Sequence, residues 1–169
     1  MRQIKDIPLV PWEKGYMATE ASHKPQYYVV GLGIDEADSA YPLIRSIAPE
    51  ITAHEWRRYV RRRCHDGGFK GLYDCNELLI GLFSYRFGER LRQGRVLAID
   101  DFVTFELSNA APGRKLLMAT AERYARNRGC TGMEVRVGAR GIGDAGSAKA
   151  SGWLGLGMDL ESVVFVKAF

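Results

Sequence analysis

The residues best suited to bind an anion are Ser108-Asn109-Ala110-Ala111-Pro112-Gly113-Arg114-Lys115. A strand that runs into a loop of small side chains and then into a helix leaves backbone N–H groups unpaired, and the helix dipole adds positive charge there. Small side chains let a phosphate approach that backbone, and Arg114 and Lys115 carry charge within reach of its oxygens. The same residues also suit a plain turn with proline near the first helical position, so this stretch alone leaves both readings open. Just upstream lie the carboxylates Asp100, Asp101 and Glu106. In regular alternation Glu106 shares a face with Asp100 and Thr104, whereas Asp100 and Asp101 point to opposite faces and cannot form a dyad.

A third group is basic. At about 100° per residue, His54, Arg57, Arg58, Arg61, Arg62 and His65 fall on one helix arc, with Trp56, Tyr59, Val60 and Cys64 opposite; only Arg63 breaks the division. Such a face can bind nucleic acid, grip an acidic substrate or simply be solvated. Cys64, Cys75 and Cys130 are odd in number and lack a CxxC pair, so small buried hydrophobes are expected rather than disulfides or a zinc knuckle. His23, His54 and His65 show neither HExxH nor HxH spacing, and no metal site is expected. Trp12 and Trp56 read as packing anchors. The glycines of 138 to 143 follow a strand, but no strong helix and no acidic ribose ligand come after them, which argues against a dinucleotide loop.

These groups need elements to position them. Residues 1 to 26 read as an irregular arm, and 27 to 30 as a strand. A helix opens at Asp35-Glu36 and runs to about Ile47, stopped by Pro49. Thr52-Ala53-His54-Glu55 is a capping box that starts the basic helix. Residues 69 to 75 and 78 to 87 form a hairpin around Asn76-Glu77, and a turn through 90 to 94 leads into a long strand over 96 to 107. Pro112-Gly113 opens the clearest helix, with Leu116, Leu117, Thr120, Ala121 and Tyr124 on one face and Gly129 past its basic last turn. A strand over 133 to 137, a short weak helix within 138 to 157 and a strand over 162 to 169 complete the chain.

The segment 108 to 113, continued by Arg114-Lys115-Leu116-Leu117, resembles motif A of the GCN5-related N-acetyltransferases, Q/R-x-x-G-x-G/A, with Ser108 in the Q/R position and Ala111 in that of the first glycine. Trp153-Leu154-Gly155-Leu156-Gly157-Met158 is similar to the family's Y-x-x-x-G-F, with Trp for Tyr and Met for Phe, and the order of elements agrees over 27 to 169. The resemblance implies an α/β fold with a mixed, mostly antiparallel central sheet flanked by helices on both faces. It implies acetyl-CoA as the acyl donor and an amine, on a small molecule or a protein, as the acceptor. Ser108, Asn109, Ala110, Ala111, Gly113, Arg114 and Lys115 would then hold the pyrophosphate. Strands 96 to 107 and 133 to 137 would splay around the pantetheine arm, with Val103, Thr104 and Phe105 along it.

A fourth-strand carboxylate usually takes the amine proton in this family, which makes Glu106 the first candidate base, with Asp100 and Asp101 behind it. The family tyrosine protonates the departing thiolate. Trp153 stands in its place, and an indole N–H can donate a hydrogen bond but is too weak an acid to give up its proton, so solvent, Tyr124 or a substrate group must serve. The basic helix would border the acceptor site and favour an acidic acceptor or an acidic protein surface, with the 138 to 143 segment a mobile loop nearby. Two alternatives stay open: a non-catalytic acyl-CoA-binding or protein-binding module, and a nucleic-acid-binding protein working through Arg57 to Arg63.

Composition sets the outer bounds. At 169 residues, 46% hydrophobic and 26% charged, the chain matches one domain over 27 to 169 preceded by the arm. Aromatic residues at 11% and glycines without a period exclude wholesale disorder and collagen. No apolar run approaches the ~18 residues of a membrane span. Met1-Arg2-Gln3-Ile4-Lys5-Asp6 leads into no apolar h-region, so a cytoplasmic protein is expected. A formal charge of +4 is a mild bias toward anionic partners. Monomer and dimer both remain open.

Overall fold

The computed structural model describes residues 26 to 106, 111 to 138 and 148 to 161. The expected arm up to residue 25, the small residues Ser108, Asn109 and Ala110, and the strand over 162 to 169 lie outside them.

The described chain runs β1 (Tyr27–Leu32), α1 (Ile34–Ser39), α2 (Tyr41–Ile47), α3 (Ala53–Asp66), β2 (Gly67–Asp74), β3 (Leu79–Arg90), β4 (Gly94–Thr104), α4 (Pro112–Asn127), β5 (Gly132–Val135) and α5 (Ala148–Leu154). The strands form one sheet in the order β1-β2-β3-β4-β5. All neighbours are antiparallel except β4 and β5, which pair in parallel, as expected for a mixed, mostly antiparallel sheet.

Two apolar clusters lie on opposite faces of this sheet. Phe69, Leu82 and Val103 pack with Ala37, Ala40, Ile44, Trp56 and Val60 of α1 to α3. Leu72, Phe83, Tyr85, Leu97 and Ile99 pack with Leu117, Ala121 and Ala125 of α4. Trp56 is the expected anchor: its ring is buried edge-on against Phe69, and its indole N–H donates to the Ala37 carbonyl of α1 at 3.0 Å. The capping box of α3 forms as read, with Glu55 N–H donating to Thr52 Oγ1 and Thr52 N–H to Glu55 Oε2.

The structure corrects the first helical segment. It is divided at Ala40 into α1 and α2, because Pro42 has no N–H to continue the ladder and its ring would crowd the carbonyl four residues back. The β2–β3 turn is tied by Asp74, whose Oδ1 accepts from the Asn76 and Leu78 amides, both at 2.9 Å.

The irregularity with most consequence lies in β4. Ser84 pairs with Asp101 but Tyr85 pairs with Ile99, so Asp100 is an extra residue, a bulge without a partner on β3. One inserted residue moves every later side chain of the strand to the other face.

Candidate functional site

The bulge overturns the expected facing of the carboxylates. Asp100 and Asp101 both reach the α3 side, while Phe102 and Glu106 fall on the α4 side. Asp101 Oδ2 accepts from the Tyr59 hydroxyl at 2.6 Å and the Ser84 hydroxyl at 2.5 Å. Asp100 Oδ2 accepts from Arg63 at 2.8 Å and from Arg86 at 2.9 Å, and Arg136 approaches Oδ1 at 3.4 Å. The two clusters are joined through α3, since Arg63 also donates to the Tyr59 oxygen at 3.2 Å. Arg63, the residue that broke the helix pattern, is therefore an inward residue whose charge is matched by Asp100; both side chains are only 11% exposed. Asp100 Oδ1 is buried and has no hydrogen-bond partner. Burial first, and the Asp101 charge second, push the Tyr59 phenol up to about 12, so it stays a donor.

Beside this cluster the sheet opens. The parallel pairing of β4 with β5 covers only Val96 to Ile99, and a last bond runs from Arg136 N–H to the Ile99 carbonyl at 2.9 Å. Beyond Asp100, β4 continues to Thr104 with no strand on that side among the described residues. Phe105 N–H donates to the Ile80 carbonyl at 2.6 Å, and Val103 is aligned with Leu82, so these two backbones turn toward β3. By antiparallel alternation the N–H and C=O groups of Phe102 and Thr104 face the opening. The expected run Val103, Thr104 and Phe105 thus lies at the gap, but its free backbone groups belong to Thr104 and to the unanticipated Phe102. The Phe105 side chain is exposed.

The opening leads to the start of α4. Ala111, its N-cap, takes φ 43° and ψ 54°. Pro112 offers no N–H, and Lys115 N–H closes the first turn onto the Ala111 carbonyl. The free donors of that turn are then Gly113 and Arg114, and Glu106 takes both: Gly113 N–H to Oε1 and Arg114 N–H to Oε2, each 2.7 Å. Glu106, expected to sit with Asp100, is on the other face as a helix cap. The Arg114 guanidinium lies over the Trp153 ring at 4.6 Å, and that ring meets Phe102 edge-on at 5.3 Å. Burial pushes Arg114 below its usual value, and its Nε has no hydrogen-bond partner. Lys115 is exposed. Tyr124, considered as an acid, is ten residues along α4, about 15 Å at 1.5 Å per residue, with its hydroxyl 3.0 Å from that of Tyr85. It cannot serve the opening.

The fold that holds this opening superposes on those of solved structures. An aminoglycoside N-acetyltransferase in complex with CoA superposes with a TM-score of 0.71, at 12% identity over 88% of this chain and 98% of that one. The fold is that of the GCN5-related N-acetyltransferases. An acetyltransferase from Trypanosoma brucei (TM-score 0.63, 16% identity, 85% of this chain and 99% of that one) agrees. So does a glucosamine-6-phosphate N-acetyltransferase from Arabidopsis thaliana (0.59, 15%, 85% and 98%). No protein-family model and no curated protein matches the sequence.

Against this fold, the residues suit an acyl-CoA unevenly. The open edge of Phe102 and Thr104 suits an amide-bearing pantetheine arm, which needs backbone partners. The start of α4 does not suit a pyrophosphate while Glu106 holds its amides.

Proposed function

We propose that the protein transfers an acetyl group from acetyl-CoA to an amine. The observation that carries this reading is the parting of β4 and β5 at Asp100, which leaves the Phe102 and Thr104 backbone open beside a carboxylate cluster. The thioester would lie along that edge. The amine would approach from the α3 side, where Asp100 and Asp101 stand together.

The amine nitrogen forms the new bond to the acetyl carbon as the C–S bond breaks, and its proton must leave. Asp101 is assigned to take it, because its partners are the neutral hydroxyls of Tyr59 and Ser84. Asp100, fixed by guanidinium groups from α3, β3 and the end of β5, holds the bulge and positions its neighbour. Trp153 keeps the Arg114 side chain and Phe102 in place and supplies no proton. The thiolate is left to take a proton from water or the acceptor.

The test is thermal unfolding with and without acetyl-CoA, followed by release of free CoA thiol with a panel of amines. Ligand at 100 times its Kd adds about 2.7 kcal/mol, several degrees for a chain this size. Thr104→Pro is the control: it removes an N–H from the open edge and leaves the β3 pairing intact, so it should abolish the shift. No shift in the unaltered protein overturns the reading.

Glu106 in the helix start and Trp153 in place of tyrosine favour one second reading, a binding module on the same fold. Stabilisation by acetyl-CoA without thiol release from any amine would establish it.

A further inference from the structure

Glu106 stands where an anion would. Pro112 has no N–H and the Lys115 N–H is already spent within the helix, so Gly113 and Arg114 are the donors that the first turn of α4 can offer. A single side chain takes both of them. The approach is tight: a Cβ on Gly113 would lie 3.0 Å from Glu106 Oε1 and 2.8 Å from Leu72 Cδ2, so a side chain there would have to displace the carboxylate or Leu72.

A second observation concerns charge. The Arg114 side chain lies over Trp153, its Nε is buried without a hydrogen-bond partner, and the carboxylate whose charge acts on it is Glu106. A guanidinium and two amides that all face one internal carboxylate form an anion site whose occupant is the chain itself. Glu106 reaches it only because the Asp100 bulge turns this end of β4 toward α4.

We propose that Glu106 is an internal competitor for the anion site of α4, which must withdraw before the pyrophosphate group of an acyl-CoA can take the Gly113 and Arg114 amides. The identity of that ligand rests on the acetyl-CoA reading; the competition itself does not. Binding is weakened by the fraction of chains in which the carboxylate has withdrawn. Removing the carboxylate therefore strengthens binding of any ligand that uses these amides and leaves other ligands unaffected.

The experiment is calorimetric titration of the full chain, Glu106→Gln and Glu106→Asp with inorganic pyrophosphate, CoA and pantetheine. Gln is isosteric but can accept from only one of the amides; Asp keeps the charge but is too short to span both, and serves if the Gln variant does not fold. Both variants are expected to bind pyrophosphate and CoA at least about tenfold more tightly than the unaltered chain, which corresponds to a withdrawn fraction of about a tenth or less. Pantetheine, which has no pyrophosphate, should bind all three alike. Equal affinity of all three proteins for pyrophosphate and CoA, or no pyrophosphate binding by any of them, overturns the competition. Tighter pyrophosphate binding in the variants with no CoA binding by any form upholds the competition and overturns the acetyl-CoA reading.

Discussion

Ala111 is held at φ 43°, ψ 54°, a left-handed conformation that brings the Cβ of an L-residue close to the following carbonyl oxygen. That strain costs about 1 to 2 kcal/mol, while glycine in the unfolded chain gives back about 0.4 to 1 kcal/mol of the relief as entropy. Ala111→Gly is therefore expected to raise stability by about 0.5 to 1 kcal/mol and Tm by about 1 to 4 °C. A scanning calorimeter decides this, and an unchanged or lower Tm refutes it. Tyr59 gives a pH-dependent test. Its phenol ionises near 10 when unfolded and about 12 when folded, so between those values the folded chain keeps a proton that the unfolded chain has released. This contribution is complete below about pH 10 and is lost as pH rises toward about 12. Tyr59→Phe should flatten the fall of the denaturant midpoint across that window without abolishing it, because burial and the Tyr124 hydroxyl raise Tyr85 as well. An undiminished slope in the variant would show that Tyr59 is not held in this buried setting beside Asp101 in solution.

At the scale of elements, α3 shows what a local pattern can and cannot convey. Its capping box and its two arcs are legible because both depend on residues within a turn or two of each other, and His54, Arg57, Arg58, Arg61, Arg62 and His65 are all exposed as the periodicity requires. Thr52→Ala removes the hydroxyl that accepts from Glu55 N–H and should cost about 1 kcal/mol, a Tm lower by about 2 to 4 °C. Arg63 looked like a flaw in the pattern because its partner, Asp100, lies far along the chain. The bulge is illegible for the same reason. Nothing in Ile99-Asp100-Asp101-Phe102 marks an extra residue; it exists only in register against Ser84 and Tyr85. Alternation carried through that point assigns every later side chain to the wrong face, setting Glu106 with Asp100 and placing Asp101 opposite them. The helix start at Pro112-Gly113 was readable as an anion site, but not that the chain would fill it. The division of α1 from α2 was within reach, since Pro42 is a local breaker.

Across the whole molecule, charge is segregated by the sheet and by the two sides of α3. Arg63 and Tyr59 turn inward to the Asp100–Asp101 cluster, whereas Arg58, Arg61 and Arg62 face solvent with no carboxylate partner among the described residues, and Arg57 pairs with Asp38 of α1 at 2.9 Å. A helix with its side chains is about 10 Å across, so the outer guanidinium groups stand about a helix diameter from the carboxylates, beyond the Debye length of about 8 Å at physiological salt. A small acidic acceptor seated at Asp101 would scarcely feel them; only a partner broad enough to cover α3 would. Arg58→Glu/Arg62→Glu is accordingly expected to change Tm by no more than about 0.5 kcal/mol equivalent, to leave acetyl-CoA binding unaltered and to leave kcat/KM for a small amine within about twofold. For an acidic protein acceptor KM should rise, with the difference from the unaltered chain shrinking as salt is added. A large loss of turnover with the small amine would place the basic face in the acceptor site itself. Affinity of the unaltered chain for nucleic acid that falls steeply with salt and disappears in the variant would instead assign that face to phosphate backbones.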